Sequence, residues 1–266
     1  MIKKSAFKKF YVFFSSAFIF LLHLPFVFAK SKPTTAETAA QTASPALASI
    51  TRMFSDDTNE GINRPSVYDS LKLSTLGLCR LAFDYAMNCF SFLRSNGTLN
   101  NQNIITIADF SQPSTKKRLY VIDVKNYKLI FNTYVAHGSK SGREMATQFS
   151  NIPESNQSSL GFYKTLGTYE GGHGYSLKLE GLERGINDNA YSRAIVIHSA
   201  EYVSETFART QGYLGRSWGC PALPTALNKP IIDKIKNGSC LFIYSNQKSY
   251  SAQSKIIKRD ELKQAA

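Results

Sequence analysis

The sequence predicts a mainly β domain with packed helices, an α+β sandwich or barrel-like fold preceded by an amphipathic helix. Three observations predict it. Short runs rich in Ile, Val, Tyr and Phe recur after residue 100, Gly, Asn, Pro and Ser punctuate them, and a helical repeat precedes them. Leu76, Cys79, Phe83, Met87 and Phe90 recur at threes and fours, so a helix is expected from about Ser66, ending near Asn96-Gly97. Its apolar stripe reads as domain packing. Strands are expected at 104–110, 118–124, 128–135, 160–166, 175–179, 194–198 and 240–244. Shorter helices fit 201–209 and 225–236, the second stopped by Asn237-Gly238.

The ends divide the chain further. Lys3, Lys4, Lys8 and Lys9 precede an almost wholly apolar run from Phe10 to Phe28, with small Ala29 after it. A basic start, apolar middle and small cleavage residue describe a secretory signal over 1–29, which implies a periplasmic or secreted protein. An uncleaved membrane anchor is the alternative, since the run approaches the ~20 residues that span a bilayer. Residues 30–65, rich in Ala, Thr, Ser, Gln and Pro, read as a flexible linker. The domain is expected over 66–245, and 246–266 as a basic flexible tail.

The chain carries a formal charge of +13, which falls to +9 without the four N-terminal lysines. A basic exported protein is drawn to anionic envelope polymers. Nucleic acid is excluded as a partner, because no zinc finger, RNP-like aromatic pattern or basic helix accompanies the charge. Cys79, Cys89, Cys220 and Cys240 are the cysteines. If Cys79 and Cys89 share a helix they stand about 15 Å apart, beyond disulfide reach. With Cys220 kept as a thiolate, only a bond from Cys240 to Cys79 or Cys89 is left open. No Cys or His spacing suits a metal, and no cofactor is required.

The most informative stretch is Ile195-Val196-Ile197-His198-Ser199-Ala200, followed after a polar loop by Arg216-Ser217-Trp218-Gly219-Cys220-Pro221. An apolar strand ending in His holds an imidazole at a sheet's rim. Gly219 and Pro221 set Cys220 in a tight turn, where a core cysteine would sit badly. A thiolate attacks carbonyls well, and a neighbouring imidazole takes its proton. Successive N–H groups of Trp218-Gly219-Cys220 can face a developing oxyanion, and Gly219 permits that approach. Trp218 reads either as buried scaffold or as a wall of a substrate groove. Arg216 and Ser217 belong to the exposed approach, and Arg216 suits a peptide carboxylate. His137-Gly138 closes another strand and is a rival base. Tyr169 to Tyr175, with Gly171, Gly172, His173 and Gly174, reads as a mobile lid over a groove or an ordinary hairpin turn, with His173 and Tyr175 as substrate contacts.

At these residues the chain resembles the murein L,D-transpeptidase catalytic domains of YkuD type. Their signature is His, a loop, then Ser or Thr, His, Gly, Cys. His198-Ser199-Ala200 matches the base segment, and Ser217-x-Gly219-Cys220 matches the nucleophile segment. Trp218 stands where the family usually has a second His, and Ala222 where Asn or Arg is frequent. These departures, with the segments starting at Asp109, Tyr120 and Ala136, point to a divergent branch with a Ser-Trp-Gly-Cys motif. The resemblance implies an exported enzyme acting on peptidoglycan stem peptides. In it Cys220 is the nucleophile, His198 the base, and the Ser199 carbonyl orients the imidazole. Hydrolysis of stem peptides, or peptide binding without catalysis, are the readings it leaves open.

Overall fold

The computed structural model describes residues 66–258, so the expected signal and linker lie outside the described residues. The strands are β1 (Ile104–Asp109), β2 (Leu119–Asp123), β3 (Lys128–Thr133), β4 (Gly161–Gly171), β5 (Gly174–Gly181), β6 (Val196–Ser199), β7 (Ala222–Leu223) and β8 (Cys240–Tyr244). The helices are α1 (Val67–Ser70), α2 (Arg80–Ser95), α3 (Glu205–Gln211), α4 (Thr225–Ile235) and α5 (Lys248–Gln253).

All eight strands join one mixed sheet in the order β3-β2-β1-β8-β4-β5-β6-β7. β1 and β8 run parallel at its middle, Ile107 opposite Phe242, and every residue of both is buried. Parallel strands covered on both faces read as continuous apolar runs, which is how Ile-Ile-Thr-Ile-Ala and Cys-Leu-Phe-Ile-Tyr read. α2 packs on β1 and β8 through Phe83, Met87, Cys89, Phe90 and Leu93, and α4 packs on β5, β6 and β1. Phe162 stacks on Phe242 with ring centroids 4.0 Å apart.

The sheet is rolled. Just beyond edge strand β3, Ala136 bridges to Ala222 of β7 at the opposite edge, and Gly138 bridges to Ser217. The nucleophile turn therefore lies at the seam where the two edges meet. Gly138 makes the approach possible: a Cβ there would lie 2.5 Å from the Asn156 carbonyl and 2.9 Å from Gly219 Cα.

Several elements differ from the sequence expectation. The amphipathic helix begins at Arg80 rather than near Ser66, because Lys72 and Gly77 take positive φ and turn the chain between α1 and α2. Cys79 is consequently the N-cap of α2, its N–H donating to Asp109 Oδ2 at 3.1 Å. Cys240 keeps a free thiol within β8, so neither pairing left open for it forms. β4 runs on to Gly171 and pairs with β5 up to Gly171–Gly174, which makes the Gly-rich segment a tight hairpin.

The stretch expected to be a flexible tail is packed as far as 258. Tyr250 and Ile257 are buried, and Glu183 holds the segment in place. The Glu183 carboxylate accepts from Phe162 N at 2.9 Å, from the Tyr250 hydroxyl at 2.9 Å, and from the Ser254 hydroxyl. Lys, Ser and Gln dominate the segment's composition and hide the apolar anchors.

Candidate active site

The turn carrying Cys220 is built by its neighbours. The Ser217 hydroxyl donates to the Cys220 carbonyl at 2.6 Å and accepts from Gly219 N at 3.0 Å. The Ser158 hydroxyl donates to the Gly219 carbonyl at 2.9 Å and accepts from Gly138 N at 3.0 Å. Gly219 sits at φ +127°, where a Cβ would also approach the Gln157 carbonyl to 2.7 Å. Ser217 is thus built into the turn, its one hydroxyl proton committed to the Cys220 carbonyl. Gly219 N–H is likewise engaged, while Cys220 N–H has no acceptor among the described residues.

His198 lies at 3% exposure on β6, its Nδ1 2.8 Å from the Ser199 carbonyl. A carbonyl only accepts, so Nδ1 carries the proton and Nε2 is left as a lone-pair base. The His173 ring, from the turn between β4 and β5, stacks on His198 with centroids 4.4 Å apart. The Ser199 hydroxyl ties that turn down by donating to the His173 carbonyl at 3.2 Å. Burial lowers the His198 pKa below its ordinary value, the Ser199 carbonyl opposes this, and His173 adds to it.

Among the described residues no hydrogen bond joins the thiol to the imidazole. His198 pairs with Ala222 in the parallel β6–β7 ladder, which sets Cys220 beside Val196. The ladder begins only at Ala222, so Cys220 meets bare β6 backbone. Its Sγ accepts from Val196 N at 3.5 Å and approaches the Ala194 carbonyl at 3.8 Å. Burial pushes the thiol pKa up, while the Val196 N–H and the Arg193 guanidinium pull it down. The hydrogen-bonded pair expected from sequence is replaced by a half-buried thiol resting on the strand edge.

Arg193 is the site residue that sequence reading missed. Its Nη1 donates to the Ser150 carbonyl at 2.7 Å and the Ser159 hydroxyl at 2.6 Å, and its Nη2 to the Gln157 carbonyl at 2.7 Å and the Ser155 hydroxyl at 3.1 Å. With Glu154, Asn156, Ile195 and Trp218 it lines an open pocket beside the nucleophile turn. Trp218 is 82% exposed, so the buried-scaffold reading fails, and the indole stands in the lining of this pocket. The turn's inward-facing groups are serines and glycines, which leaves the indole outside.

Other candidates fall elsewhere. Arg216 lies over the Tyr213 ring of its own loop and donates through Nη1 to the Gly142 carbonyl at 3.1 Å, which ties it to the loop at 139–142. Tyr175 turns to α4, its hydroxyl donating to Asp233 at 2.8 Å, and is not brought to Cys220. His137 is fully buried, Nδ1 accepting from Arg118 Nη2 at 2.7 Å and Nε2 facing the Gly142 carbonyl at 3.3 Å. Burial and the adjacent Arg118 charge lower its pKa to about 3. Among the described residues no group of His, Cys, Asp and Glu gathers as metal ligands.

A buried imidazole and a cysteine turn thus share one strand edge at the seam of a rolled mixed sheet. The chain belongs to the L,D-transpeptidase catalytic domain family, whose model matches residues 76–244. Solved structures similar to it include an L,D-transpeptidase from Mycobacterium smegmatis, at 12% identity and TM-score 0.34, covering 54% of this chain and 59% of that one. An L,D-transpeptidase from Stackebrandtia nassauensis, at 13% identity and TM-score 0.34, covers 76% of this chain and 89% of that one. An L,D-transpeptidase from Enterococcus faecium, at 10% identity and TM-score 0.33, covers 53% and 50%. The chain thus spans about six-tenths of the first of these. The family assignment rests on the family match alone. No curated protein matches the chain.

Proposed function

We propose that the protein is an exported cysteine acyltransferase that forms L,D cross-links between peptidoglycan stem peptides. The observation that carries this reading is His198, its Nδ1 held by the Ser199 carbonyl and its Nε2 without a partner among the described residues, on the same strand whose Val196 N–H meets the Cys220 thiol. Rotation about the Cys220 Cα–Cβ bond releases Sγ from β6 and swings it toward His198 Nε2. His198 takes the thiol proton, and the thiolate attacks the carbonyl carbon of the L-to-D amide in a tetrapeptide stem. The uncommitted Cys220 N–H faces the charge that develops on the carbonyl oxygen. The C–N bond breaks, D-Ala leaves with the proton held by His198, and a thioester remains on Cys220. An amine of a second stem then gives its proton to His198 and attacks the thioester. The new amide forms and the thiol takes the proton back.

Burial raises the thiol pKa and lowers that of the imidazole, which disfavours the charged form of each. The Lys-rich apolar N-terminus and the basic charge support an envelope location. Incubating the protein with disaccharide-tetrapeptide and weighing the products tests the reading. Cross-linked dimer is expected; tripeptide alone makes the protein a hydrolase, and unchanged substrate with no thioester removes catalysis.

A further inference from the structure

The pocket beside the nucleophile turn has a composition that the acyl transfer does not use. Trp218 presents 82% of its surface to solvent at one wall, and Ile195, only 3% exposed, adds a small apolar contact. Glu154 and Asn156 complete the lining, and neither side chain has a hydrogen-bond or ion-pair partner among the described residues. Both residues hold positive φ, 59° and 54°, so the loop that displays them takes a shape few side chains favour. Arg193 fixes that shape from below, with both terminal nitrogens donating to residues 150–159. The polar groups are therefore aimed before any ligand arrives, which reduces the ordering cost of binding.

The charges decide the class of ligand. Glu154 and Arg193 line the same pocket with opposite signs, so neither a free carboxylate nor a free ammonium is preferred. An uncharged ligand rich in hydroxyl and amide groups fits better. The indole offers a flat apolar face, Glu154 accepts hydrogen bonds, and Asn156 both donates and accepts. A pyranose ring has a matching apolar face and a rim of hydroxyls.

We propose that this pocket is a glycan subsite that binds an N-acetylated hexosamine ring by stacking on Trp218 and hydrogen bonding to Glu154 and Asn156. Only the choice of an N-acetylated sugar rests on the peptidoglycan reading. The subsite would hold the sugar strand next to Cys220 while its attached peptide reacts.

Trp218 is the single tryptophan of the chain, so its emission reports occupancy directly. Titration with N-acetylchitotetraose is expected to give a saturable blue shift, and Asn156→Ala and Glu154→Gln should each weaken it about fivefold or more. Trp218→Ala, exposed and so neutral for folding, should melt at the wild-type temperature and lose binding by calorimetry. No response to the sugar overturns the subsite. So does an equal response to lysine amide, unaltered affinity in both polar variants, or retained binding in folded Trp218→Ala. Thioester formation on Cys220 is read separately by intact mass. Its failure with sugar binding intact removes the acyl-transfer reading alone, and the reverse removes the subsite alone.

Discussion

His137 and His198 both follow apolar stretches, both are buried, and burial lowers the pKa of both, yet they are chemically opposite. His137 has each ring nitrogen engaged, one by Arg118 and one by the Gly142 carbonyl. His198 has only Nδ1 engaged among the described residues, by the Ser199 carbonyl, and its strand carries the Val196 N–H that meets the Cys220 thiol. The difference teaches that burial and a depressed pKa do not make a base; an uncommitted nitrogen near the nucleophile does. His137 instead completes the surroundings of a fully buried Arg118, whose guanidinium also donates to the Val135 and Gln112 carbonyls.

The largest expected effect is at the nucleophile. Cys220→Ser should fold normally and form no adduct with a carbapenem by intact mass, since a hydroxyl is a far weaker acid than a thiol. An adduct on that variant, or on Cys79, Cys89 or Cys240 of the wild type, would move the nucleophile elsewhere. Next, His198→Ala should slow acylation by ~10²- to 10⁴-fold with little change in melting temperature. His137→Ala should do the reverse, costing about 2 to 3 kcal/mol in denaturant unfolding because Arg118 loses a buried acceptor. Comparable rate losses at both positions would erase the comparison.

The pH dependence sharpens the contrast. The acid limb of kcat/KM should follow His198, with a midpoint below the ordinary imidazole value of ~6.5. His137 governs stability. Its folded pKa of about 3 lies below its unfolded value, so the unfolded chain binds more protons as pH falls. Its contribution to stability is therefore complete above the ordinary imidazole range and lost progressively down to about 3. The smallest effect belongs to His173→Ala. Removing the stacked ring lessens both the burial of His198 and the opposing charge, so the acid limb should move slightly upward. A downward movement would mean that His173 stabilises the protonated imidazole.

Much of this was legible in the sequence where one signal dominated. β8 occupies 240–244, as its uninterrupted apolar run bounded by polar residues indicates, and α4 ends at the expected Asn-Gly stop. β7 is only two residues long, too short for any periodicity, yet it sets the register between His198 and Cys220. Arg193 was invisible because its role arises from four partners spread over 150–159, a loop without pattern. Trp218 misled through its type: large aromatics are usually covered, and only the geometry of the turn shows that this one is not. Tyr175 misled through its neighbours, since its Gly-rich flank suggested a groove while its hydroxyl belongs to α4.

The Glu183 clamp bears on where this protein can be cut. The family match stops at Tyr244, ahead of the residues that satisfy the Glu183 carboxylate. Severing the chain there would strand an acid in an apolar interior with only the Phe162 amide for company. The homologous module and the cooperative folding unit thus have different ends. A fragment chosen by family boundaries would carry every atom of the site on a scaffold with a hole in its foundation.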